Sequence, residues 1–92
     1  MSVKENYHVK GSDSTSGLAF YAEQPVSEHA PLIEAMVELG AVPFCQTNVP
    51  QALFTMQTSN PLYGATGNPW DKERECGGST GGEGSIIGAG TS

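Results

Sequence analysis

Seven glycines stand within fifteen residues in the stretch Cys76-Gly-Gly-Ser-Thr-Gly-Gly-Glu-Gly-Ser-Ile-Ile-Gly-Ala-Gly90. Every ordered glycine costs backbone entropy, so such a run is either left disordered or held in a shape that other residues resist. Three readings compete: a linker, a phosphate-cradling loop, or a constrained backbone presenting the adjacent hydroxyls of Ser79 and Thr80. The phosphate reading fails on its neighbours. A Walker loop needs a lysine before its Ser or Thr, and none stands there. The looser Gly82-x-Gly84-x-x-x-Gly88 pattern should follow a strand, but Glu73-Arg-Glu-Cys-Gly-Gly is a poor one, and Glu83 would repel a pyrophosphate.

The chain has 92 residues and a formal net charge of −6, with four Lys and Arg together. Nucleic acids and anionic membrane surfaces are bound through basic patches, so neither is an expected partner. Apolar residues make up 37%, beside 12 glycines and 6 prolines. A chain this short and loop-rich buries little core by itself, and is expected to be one small domain or part of a larger one. Cys45 and Cys76 fit no zinc spacing and are too few for a disulfide scaffold, which points to reduced thiols in an intracellular protein. Neither a signal region nor a membrane-length apolar segment is visible.

The elements read as α/β. Ser2–Lys4 is a short strand, and residues 11–17 form a polar loop. Residues 27–39 predict a helix, with Ser27 as N-cap, an apolar face of Leu32, Ile33, Met36, Val37 and Leu39, and Gly40 as its stop. Residues 41–47 predict a second strand, so strand, helix and strand follow in order. Residues 48–78 hold little periodicity beyond a helical turn at 52–56, and so long a loop in a compact domain is usually functional. Residues 84–89 predict a short helix with Ile86 and Ile87 inward.

His8 and His29 lack paired ligand spacing, so no metal site is expected and both are read as surface residues. Cys45 as a nucleophile would need a nearby histidine, and a small core residue is the simpler reading. Ser79 needs a base. Lysine fills that role when desolvation favours its neutral form, and Lys4 is the one set in an apolar strand. The residues alone leave that pairing open beside the linker.

Further segments carry more. Ser2-Val-Lys-Glu with Lys10-Gly-Ser-Asp-Ser-Thr-Ser-Gly, Thr47-Asn-Val-Pro-Gln, Thr58-Ser-Asn-Pro-Leu-Tyr-Gly-Ala-Thr-Gly-Asn-Pro-Trp and Gly77-Gly-Ser-Thr-Gly-Gly-Glu-Gly together resemble the amidase signature family, in its fatty acid amide hydrolase branch. The resemblance covers essentially the whole chain. It implies a fragment of an α/β domain with a mixed central sheet flanked by helices, incomplete as an isolated domain. It also implies amide-bond hydrolysis through a Ser–cis-Ser–Lys triad, with no metal or organic cofactor.

Carried over by motif, Lys4 is the implied catalytic lysine. Ser79 is the middle serine, preceded by a cis peptide bond, and relays a proton between the lysine and the nucleophile. Leu53, Phe54, Thr55 and Met56 resemble the segment beside the substrate pocket, where Leu53 and Ser79 would touch a lipid amide. Thr80 replaces a usual second serine, and Cys76 a usual proline. The family's nucleophile lies in a later Ile-Gly-Gly-Ser motif that also supplies the oxyanion hole. These 92 residues contain no such motif. The expectation is therefore a partial, intracellular amidase segment, cytoplasmic or peripheral to a membrane, and inactive alone. Membrane association and a homodimer interface would belong to other regions. The rival reading is a non-catalytic truncated product acting only by association.

Overall fold

The computed structural model describes residues 1–91. Strand β1 (Ser2–Lys4) pairs in parallel with β2 (Cys45–Thr47), in the register Ser2↔Cys45, Val3↔Gln46 and Lys4↔Thr47. Glu5 N–H continues the ladder by donating to Thr47 O at 3.0 Å. Parallel neighbours need a long crossover. Here it contains the polar loop, a 3-10 turn at Ala19–Tyr21 and helix α1 (Pro31–Glu38).

Helix α1 begins later than the sequence predicts. Ala30, not Ser27, is its N-cap, in an extended conformation (φ −61°, ψ 146°). The cause is Pro31, whose ring disfavours helical geometry in the residue before it and suits the first helical position. The C-terminus matches expectation. Gly40 has φ 97°, its N–H donates to Val37 O, and Ala41 N–H donates to Met36 O. Those two bonds define a Schellman stop. Of the predicted apolar face only Ile33 is buried, while Leu32, Met36, Val37 and Leu39 are exposed. Strand β2 keeps only the last three residues of the expected 41–47, because Pro43 cannot donate to a ladder.

Between β2 and α2, side-chain amides supply several of the backbone's hydrogen-bond partners. Asn60 Nδ2 donates to Asn48 Oδ1 and Val49 O, both at 2.8 Å, and Asn60 Oδ1 accepts from the Leu62 and Tyr63 amides. That turn joins β3 (Ser59–Asn60) to β4 (Gly64–Ala65) as an antiparallel pair. Asn48 Nδ2 then reaches Gly64 O and Thr66 Oγ1. The expected turn at 52–56 is instead a 3-10 turn at Gln51–Leu53, with Ala52 and Leu53 at left-handed φ of 51° and 60°.

Helix α2 (Gly81–Gly88) starts three residues earlier than predicted. Gly81 and Gly82 are its buried residues, while Ile86 is half-buried and Ile87 exposed. Glycine rather than isoleucine makes the close approach, Gly82 against Thr47 and Asn48 at the end of β2 and Gly81 against Thr58 and Cys76. Among the described residues the buried hydrophobic side chains are Val3, Ile33 and Val49, joined by the polar Glu5, Thr15, Thr47, Thr58 and Asn60. Such a core is small, as the composition predicts.

Candidate functional site

Alternation along β1 buries Val3 and turns Ser2 and Lys4 to the opposite face. That face receives α2. Its first turn fits because two glycines lack side chains. A Cβ at Gly81 would overlap Thr58 Oγ1 and Cys76 Sγ, and one at Gly82 would overlap the Asn48 backbone and Thr47 Cβ. Gly82 N–H donates to Asn48 O at 3.3 Å.

The loop before α2 is clamped by one hydroxyl. Thr58 Oγ1 donates to Gly77 O at 2.8 Å and accepts from Gly81 N–H at 3.2 Å. A Cβ at Gly78 would come 2.6 Å from Met56 O and 2.7 Å from Thr58 Oγ1, so the site demands glycine by packing. The Gly78–Ser79 peptide bond is cis.

Between the clamped ends, Ser79 and Thr80 face Lys4. Lys4 Nζ donates to Ser79 Oγ at 2.9 Å and to Thr80 Oγ1 at 3.2 Å. Thr80 is the N-cap of α2, yet its side chain makes no capping bond, and the hydroxyl serves the lysine. Lys4 forms no ion pair among the described residues; the ion pair there is the exposed Arg74–Asp71 contact at 3.1 Å. A lysine held by hydroxyls rather than a carboxylate has partners through which a proton can pass.

The other named residues divide. Met56 meets the site through its backbone oxygen against Gly78. Phe54 and Thr55 line a separate open cavity of about 430 Å³ with Leu18, Gln51, Ala52, Gln57 and Ser59. Leu53 and Ser79 are not among its lining residues. Phe54 and Met56 are 89% and 74% exposed, so their apolar surface is free in the described structure. Cys45, expected in the core, is only half-buried. His8 is exposed, and His29 Nδ1 accepts from Lys10 N–H at 3.1 Å. No group of three or more His, Cys, Asp or Glu among the described residues could hold a metal ion. No helix there is long and apolar enough to cross a membrane.

Two contributors escape sequence reasoning. Thr58 is joined to Gly77 and Gly81 by no motif spacing. Glu83, weighed only as unfavourable to phosphate, accepts from Ser2 Oγ at 2.7 Å and from Thr47 Oγ1 at 2.8 Å. Its first-turn position emerges only because α2 starts at Gly81, three residues before the predicted start.

Residues 1–92 match the amidase family model throughout. The chain is 52% identical over its full length to fatty acid amide hydrolase 1 of Caenorhabditis elegans and 46% identical to fatty-acid amide hydrolase 1 of Sus scrofa. In each case it spans 16% of the relative's length. Among solved structures, a fatty acid amide hydrolase superposes on 99% of this chain with a TM-score of 0.93 at 32% identity, and the match covers 16% of that protein.

Proposed function

The chain belongs to the amidase family, and on that premise we propose that Lys4 and Ser79 are two members of a Ser–cis-Ser–Lys triad that hydrolyses fatty acid amides. The observation that carries the reading is the 2.9 Å contact between Lys4 Nζ and Ser79 Oγ. The substrate class is supported by the likeness to fatty acid amide hydrolases at 52% and 46% identity, and by the exposed apolar side chains of Phe54 and Met56.

In this scheme the third member is a serine hydroxyl outside these 92 residues. As it attacks the amide carbon, its proton passes to Ser79 Oγ while the Ser79 proton passes to the Lys4 amine. The lysine thus acts first as base. When the carbon–nitrogen bond breaks, the proton returns by the same path to the leaving nitrogen, and an acyl ester remains. Water then attacks that ester with the relay working as before, releasing the fatty acid and restoring the serine. The developing oxyanion needs donors of its own, which would stand beside the nucleophile.

Ser79 suits the middle position because its hydroxyl can donate and accept at once. The clamp by Thr58 at Gly77 and Gly81 keeps it there. Leu53, Phe54, Thr55 and Met56 would meet the acyl chain, and the Met56 carbonyl packs against Gly78, the residue before Ser79.

The test is ammonia release from a long-chain primary amide, comparing a full-length protein, in which these 92 residues are joined to the remainder of an amidase domain, with its Ser79→Ala variant and with residues 1–92 alone. The reading expects turnover from the first and none from the segment. Undiminished turnover by Ser79→Ala, or turnover by the segment, contradicts it.

A further inference from the structure

Ser2 precedes Lys4 by two residues on the same face of β1, and Thr47 is the register partner of Lys4 on β2. Lys4 therefore has one neighbour along its strand and one across the ladder, both bearing hydroxyls on the face that α2 covers. Glu83 takes both. Its Oε2 accepts from Ser2 Oγ at 2.7 Å and its Oε1 from Thr47 Oγ1 at 2.8 Å. Hydroxyl-to-carboxylate bonds of this length belong to the stronger class.

Glu83 stands in the first turn of α2, just after Ser79 and Thr80. A glutamate there favours the helix through the macrodipole. A first-turn glutamate can also fold back on the N-cap amide. Here both oxygens are committed to the strands instead. The helix has few other side-chain anchors, because Gly81, Gly82, Gly84 and Gly88 supply none and Ile87 is exposed. Other ties are Gly81 N–H to Thr58 Oγ1 at 3.2 Å, Gly82 N–H to Asn48 O at 3.3 Å, Ser85 Oγ to Gly67 O at 2.9 Å and Lys4 Nζ to Thr80 Oγ1 at 3.2 Å. Apart from Lys4 itself none of these partners lies on β1, so the carboxylate fixes where along β1 the helix sits.

We infer that Glu83 is a positioning residue: by gripping Ser2 and Thr47 on either side of Lys4, it sets the separation between Lys4 Nζ and Ser79 Oγ. The inference rests on the relay assigned to Lys4 and Ser79, and it acts through them without touching substrate.

The experiment uses the full-length chain. It combines steady-state kinetics on a long-chain primary amide with crystal structures of Glu83→Ala and Glu83→Gln. The alanine variant is expected to open the Lys4–Ser79 contact beyond hydrogen-bond reach. Its kcat should fall about a hundredfold, the scale of a misplacement of about 1 Å, with KM nearly unchanged. Glutamine keeps one acceptor and offers one donor, both of which hydroxyls can meet, so Glu83→Gln should recover most of the rate. Ser2→Ala combined with Thr47→Val should reproduce the alanine defect and add little to it, which keeps the inference testable if Glu83→Ala fails to fold.

An unchanged Lys4–Ser79 distance overturns the positioning role, and so does a glutamine variant as impaired as the alanine one. An opened contact with full turnover upholds the positioning and overturns the relay instead.

Discussion

Lys4 Nζ donates to Ser79 Oγ across 2.9 Å, and the same nitrogen reaches Thr80 Oγ1 at 3.2 Å. The lysine thus touches both hydroxyls of the turn that leads into α2. The parallel pairing of β1 with β2 and the glycine-mediated docking of α2 close a sequence separation of 75 residues at this point.

On the proposed relay, Thr80 would support the lysine through the 3.2 Å bond without itself passing the proton. Thr80→Val removes one acceptor at nearly constant volume, and Thr80→Ser keeps it. The valine variant should lose about tenfold in kcat, corresponding to a hydrogen bond of roughly 1.4 kcal/mol at the upper end for neutral partners. The serine variant should keep wild-type turnover. Equal kcat for all three proteins would remove Thr80 from the site.

The glycines of the run are not equivalent. A Cβ at Gly81 overlaps Thr58 and Cys76, whereas at Gly84 its nearest neighbour is Cys76 O at 3.8 Å, an ordinary contact. Gly81→Ala should destabilise the full-length protein by about 1–3 kcal/mol through overpacking. Gly84→Ala should stabilise it by roughly 0.5–1 kcal/mol, because alanine is the better helix former. Thermal unfolding of the two variants reads both signs.

Glu5 holds the polar loop. It is buried, and its Oε1 accepts from Thr15 N–H at 2.5 Å and Thr15 Oγ1 at 2.7 Å, while Oε2 accepts from Ser16 N–H at 2.8 Å. Glu5→Gln replaces an acceptor oxygen with an amide group facing donors. The loss should be about 1–3 kcal/mol by urea unfolding, with faster hydrogen exchange at the amides of residues 15–17. Unchanged exchange there would show that the loop stands without Glu5.

Local rules make part of this architecture legible. The short strand β1 is read directly at Ser2–Lys4, helical spacing predicts α1, and Gly40 announces its end. The start of α1 is misread because Ser27 looks like a cap, while Pro31 decides the boundary. The ordering of residues 48–78 is hidden because its bonds run from Asn48 and Asn60 to partners that no period links. Ile86 and Ile87 look like the inward side of α2, but contact depth there is set by Gly81 and Gly82 against Thr58, Cys76 and Asn48. At the site, composition brings Lys4 and Ser79 no closer than a candidate pairing, and the motif resemblance supplies the roles. Glu83 and Thr58 act through contacts that only the folded chain displays.

The central claim is that Lys4 and Ser79 act as one unit, and a double-mutant cycle on kcat in the full-length chain tests it most directly. Lys4→Ala and Ser79→Ala should each lower kcat by at least about a hundredfold, the lower end for general acid–base groups. If the residues share one proton path, the double variant will be only a few-fold worse than the poorer single variant. Losses that multiply in the double variant, as for independent sites, would contradict the account.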